Sequence, residues 1–104
     1  MTGRVDAAQL LERALVAHAG SAGFGCRIVA ESAKRWASAT FVGAHHRLRI
    51  EATACPPLRD WLAGLADADL PLRGHLVADL SVVDQRIEGD RLTATIEVLT
   101  VEEA

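Results

Sequence analysis

The sequence predicts a two-layer α+β domain: a five-stranded antiparallel sheet with two helices on one face, in the order α-β-β-β-α-β-β. Three observations lead there. Short stretches of alternating apolar and polar residues are joined by hairpin-length links, which is the pattern of antiparallel strands with one wet face. Two other segments each carry one apolar stripe at helical spacing, and such stripes bury naturally against one sheet face. The chain has 104 residues, half of them hydrophobic, which gives a single domain over residues 1–104 with enough apolar mass for a core.

The stretch 74–102, GHLVADLSVVDQRIEGDRLTATIEVLTVE, is the clearest element. It reads as a long hairpin turning at Gly89-Asp90, where Gly89 can take φ > 0 without strain. Leu76, Ala78, Leu80 and Val82 alternate with polar neighbours, as do Leu92, Ala94, Ile96 and Val98. A two-residue turn puts Ile87 opposite Leu92 and Gln85 opposite Ala94. Without interruption the apolar set would then change face. One extra residue at Val83-Asp84, a β-bulge opposite Thr95, restores Val82 to Ile96 and Leu80 to Val98. The alternative is a three-residue loop, Glu88-Gly89-Asp90. It turns Ile87 outward and Asp84 and Arg86 inward, so the bulge is preferred.

The remaining elements follow in order. Ala7, Leu10, Leu11, Ala14, Leu15 and His18 form the stripe of a helix over residues 6–19, with Thr2 or Asp6 as N-cap and Gly20 as its C-terminal stop. Strands are expected at residues 25–32, 36–42 and 46–52, separated by turns at Ala33-Lys34-Arg35 and Gly43-Ala44-His45. Pro56 or Pro57 opens a second helix whose stripe is Leu58, Trp61, Leu62 and Leu65. Gly64 weakens it, and Asp67, Asp69 and Pro71 mark its end.

Charge is uneven along the chain. Residues 1–54 carry seven Lys/Arg and four Asp/Glu, and residues 55–104 carry four Arg and ten Asp/Glu, for a net −3. An acidic whole argues against nucleic acid as a partner. The asymmetry either lets opposite edges of two copies attract or averages out if both halves mix in the sheet. No apolar run approaches the ~20 residues of a membrane span. The N-terminus lacks a basic region followed by an apolar stretch, so a cytoplasmic chain is expected. Cys26 and Cys55 are then free thiols, buried and reduced.

No motif names a reaction. Adjacent strand residues point to opposite faces, so His45 and His46 could share a metal only from a turn, and no metal-ligand spacing is present, so no metal and no cofactor are expected. The serines lie in no nucleophile motif. Cys55, ahead of Pro56-Pro57 at a helix start, is the best-placed thiol. Four residues offer themselves to a pocket between helices and sheet: His18, His46, His75 and Cys55. Lys34, Arg35, Arg47 and Arg49 would form a patch for a phosphate or acidic peptide if they cluster, and a solvated face if they do not. In the hairpin register above, Val77, Val83, Leu99 and Val101 point away from the helices, leaving an apolar patch that a second copy could cover.

The element order is similar to that of bacterial type III secretion chaperones, a likeness of topology alone, and fold does not carry function. Because the sequence supplies few polar groups that could converge on a pocket, the expected function is a small non-enzymatic interaction module acting as a homodimer. The other reading is a small ligand-binding or enzymatic domain, with its pocket between the helices and a curved sheet.

Overall fold

A computed structural model describes residues 6–103. Helix α1 spans Ala7–Ser21, strand β1 Arg27–Ala37, strand β2 Val42–Thr53, helix α2 Pro56–Gly64, strand β3 His75–Glu88 and strand β4 Arg91–Glu102, with a 3-10 turn at Leu65–Asp67 after α2. The strands form one antiparallel sheet in the order β1-β2-β4-β3. Among the described residues there are thus four strands, not five, and the order is α-β-β-α-β-β. The likeness in order to type III secretion chaperones rested on three strands between the helices and lapses with the third.

Two misplaced turns account for the lost strand. β1 runs straight through Ala33-Lys34-Arg35, and β2 begins before Gly43-Ala44-His45. Charged residues are at home mid-strand here because β1 is a sheet edge. A bulge at Glu31 also interrupts its alternation, since Ala30 pairs Leu48 and Ser32 pairs Arg47. The real turn is Ser38 to Phe41. Its amide donates to the Phe41 carbonyl at 2.8 Å, and its Oγ accepts from the Phe41 amide at 3.0 Å. Gly43 serves a close approach: a Cβ there would overlap the Thr100 carbonyl and lie 2.8 Å from Cζ2 of Trp36.

The terminal hairpin turns at Gly89-Asp90 as expected, with Glu88 paired to Arg91. Gly89 has φ +63°. Asp84 pairs Thr95 and Val82 pairs Ile96, so Val83 is the extra residue of the expected bulge. A second bulge lies at Ala78: Val77 pairs Thr100 while Asp79 pairs Leu99. It shifts the outer end of β3 by one residue. Val77 therefore turns to the core, and Leu76, opposite Val101, turns outward and is 55% exposed. All three bulges lie on edge strands, where a bend costs the ladder least.

Both helices cover the same face. Leu11, Leu15 and Ala19 of α1 and Leu58, Trp61 and Leu62 of α2 join Leu48, Ile50, Leu92, Ile96 and Val98 in one buried cluster. Asp6 caps α1, its Oδ1 accepting from the Gln9 amide at 2.9 Å; Thr2, the other cap candidate, lies outside the described residues. α1 runs past Gly20 to Ser21, and the left-handed residue after it is Gly23, φ +97°. Among the described residues no helix is long and apolar enough to cross a membrane.

Candidate functional site

Two places gather side chains that could act. The first is a cavity of about 750 Å³ between the N-terminus of α1 and one end of the sheet. Continued alternation on β2 and β4 sends His46, Thr100 and Glu102 to the helix-covered face, and the Ala78 bulge brings His75 there opposite Glu102. His46 is 4% exposed and Thr100 fully buried. The Thr100 hydroxyl donates to the Ala44 carbonyl at 3.4 Å and lies 2.9 Å from His46 Nε2. The shorter of the two contacts is the one to His46, so Thr100 fixes the orientation of the buried ring. The ring's Nδ1 is buried and has no partner among the described residues. His75 Nδ1 donates to the Arg73 carbonyl at 3.2 Å, which leaves its Nε2 as an acceptor. Arg35 reaches across the mouth to Glu102 at 3.7 Å.

Burial pushes the His46 pKa below its usual value, against a smaller upward pull from Asp6; His75 and His45 add a further downward push. An unfolded imidazole titrates near ~6.5, so below that pH the unfolded chain binds a proton that folded His46 refuses. Its contribution to stability is present above about pH 6.5 and is lost as pH falls through the lowered folded value. Urea denaturation from pH 7.5 downward should show this loss, and His46→Gln should flatten it. An unchanged pH slope in His46→Gln would contradict the assignment.

The second place is the bare face of the sheet. One cross-strand row holds Trp36, Gly43, Val101 and Leu76; the next holds Lys34, His45, Leu99 and Asp79; the third holds Ser32, Arg47, Glu97 and Ser81. The first row and Leu99 make an apolar end, with Phe41 in the adjoining loop also 55% exposed. Beyond it lies a charged network. Arg47 Nη1 binds Glu97 at 2.8 Å, and Arg49 binds Glu31 at 2.7 Å and Glu51 at 2.8 Å. The hydrogen bond from Arg49 holds the Glu51 carboxyl below its usual pKa.

These contacts dissolve the expected basic patch. Arg47 and Arg49 are matched by three carboxylates, Lys34 lies across from His45, and Arg35 is on the opposite face in the cavity. The four pocket candidates also divide. His46 and His75 share the cavity. His18 instead accepts the Trp61 indole N–H at 2.7 Å, tying α1 to α2. Cys55 is the N-cap of α2, makes no side-chain cap bond, and lines a separate shallow hollow of about 370 Å³ with Arg59, Asp60 and Ile87. Both cysteines are free, and burial pushes the Cys26 thiol up, away from reactivity. Of the interface candidates, Val83, Leu99 and Val101 remain off the core, whereas Val77 packs on it and Leu76 takes its place. Asp6 reads in the sequence only as a helix cap; Thr100 and Glu102 carry no motif, although the alternation from Leu92 to Val98 points both inward. Among the described residues no group of three His, Cys, Asp or Glu side chains could hold a metal ion.

No protein-family model matches the chain, and no curated protein matches it.

Proposed function

We propose that the chain is a non-enzymatic protein-interaction module of the cytoplasm that acts as a homodimer through the bare face of its sheet. The observation that carries this reading is the way charge is laid out on that face. Because the order is β1-β2-β4-β3, the basic and acidic halves of the sequence stay on separate halves of the sheet. The β1-β2 half presents Arg27, Lys34, Arg47 and Arg49 against Glu31 and Glu51. The β4-β3 half presents Asp79, Asp84, Glu88 and Glu97 against Arg86 and Arg91. A two-fold axis parallel to the strands lays β1 and β2 of one copy over β3 and β4 of the other, placing the basic half on the acidic half twice. The rows keep their level in this arrangement. Trp36 meets the second copy's Leu76, Lys34 its Asp79, and Arg47 its Glu97. Four strands at ~4.8 Å and ten residues at ~3.3 Å give a face of roughly 600 Å², close to the ~800 Å² per partner of an ordinary interface. Two such sheets pack at about −30°, as in a sandwich.

Charge reversal tests the pairing. Within one chain Lys34 and Asp79 lie on opposite edge strands, so they meet only between copies. Lys34→Asp and Asp79→Lys are each expected to weaken the dimer about tenfold or more, which is ~1.4 kcal/mol. The double variant, or an equimolar mixture of the two singles, should regain affinity in sedimentation equilibrium. Additive weakening in the double variant would contradict this arrangement.

A further inference from the structure

We infer that His18 and Trp61 form an acid-released latch between the two helices. The latch belongs to the helix layer and stands independently of the dimer face. Its proton assignment follows from the chemistry of the pair. An indole N–H only donates, so at 2.7 Å the Nδ1 of His18 must accept, and the neutral ring holds its hydrogen on Nε2. A proton added to Nδ1 turns this acceptor into a second donor. Two N–H groups then oppose each other, the bond is lost, and the ring turns away from Trp61.

The surroundings give each state of the ring a place. Every residue one turn from His18 on α1, or one turn from Trp61 on α2, is uncharged. Phe24, which meets Trp61 edge-on, is apolar, and Cys26 is a thiol that burial keeps neutral. Arg13, Arg27, Arg59, Asp60 and Asp67 are exposed, and Glu12 lies nearly two turns back. The indole is therefore the neighbour that tells a neutral ring from a charged one. His18 also sits in the last turn of α1, where the helix dipole favours a positive charge once the ring has left the indole.

The release acts on the end of α1. Trp61 holds the chain on both sides of the link that follows the helix, through His18 before it and Phe24 after it. A Cβ built on Gly20, Gly23 or Gly25 would meet nothing within 4 Å, so open space surrounds this link. Few bonds close it: the Ala22 amide donates to the His18 carbonyl at 3.2 Å, and the Phe24 amide to the Ala19 carbonyl at 3.3 Å. Segments with so few contacts open locally while the core stays closed.

The test is ¹H–¹⁵N NMR on the whole chain from pH 7.5 to about 5, which spans the usual imidazole range. The Trp61 indole proton is expected to move upfield in step with protonation of the His18 ring. The amide protection factors of Ala22 and Phe24 should fall about tenfold, the loss of roughly one hydrogen bond. Ile96, in the central strand β4, reports global opening and should fall by less. His18→Gln keeps an acceptor, Oε1, that cannot be charged, and should make both signals independent of pH. An indole resonance in the parent that ignores the His18 titration, or equal losses at Phe24 and Ile96, would overturn the proposal whether or not the variant folds. The same pH response in His18→Gln would overturn it as well.

Discussion

Gly43→Ala is expected to cost about 3 kcal/mol or more, enough to leave the domain largely unfolded if its total stability is at the low end of the usual range. The added methyl has no room. It would overlap the backbone carbonyl of Thr100 and press on the Trp36 ring. Flexible side chains yield to such intrusions, but a carbonyl in a central strand does not, and Thr100 is held further by His46 and Ala44. The contrasting substitution is Gly64→Ala. Gly64 closes α2 in open space with φ −96°, so alanine there should be neutral or stabilise by up to ~1 kcal/mol through helix propensity. Urea denaturation compares the two, and a Gly43→Ala midpoint within experimental error of the parent would refute the close approach.

Trp61→Ala should cost about 3–5 kcal/mol, the usual range for emptying a buried aromatic site. This one side chain joins three segments. It is 7% exposed in the core, its indole N–H binds His18 of α1 at 2.7 Å, and its ring meets Phe24 edge-on at 5.4 Å and 82°. Trp61→Phe keeps most of the volume and loses the hydrogen bond, so a loss nearer ~1–2 kcal/mol is expected. If the two substitutions cost the same in urea denaturation, the indole's volume matters less than its single bond.

Parts of this fold could be read from residues alone because one physical rule governed them. The turn at Gly89-Asp90 and the bulge at Val83 followed from keeping Leu80, Val82, Ile87 and their partners on one face. The two helices followed from their stripes and from Pro56-Pro57. Other parts were hidden because one residue type serves several purposes. Gly43 looked like a turn and is a contact. Lys34-Arg35 looked like a loop and is the middle of an edge strand. The bulge at Ala78 left no trace, since Leu76 and Val77 are both apolar and either could face the core. That ambiguity moved one residue of the interface surface. In the cavity, His46 and His75 were legible as candidates. Thr100, which holds the ring of His46, is placed beside it only by the pairing of β2 with β4.

Static light scattering on the purified chain at tens of micromolar, beside Leu76→Lys and Leu99→Lys, tests the central claim most directly. Both residues lie on the bare face away from the core, so the variants should keep the circular dichroism of the parent. The account predicts a parent mass of twice the 11.1 kDa chain and monomeric variants. A monomeric parent, or variants that remain dimers, would contradict it.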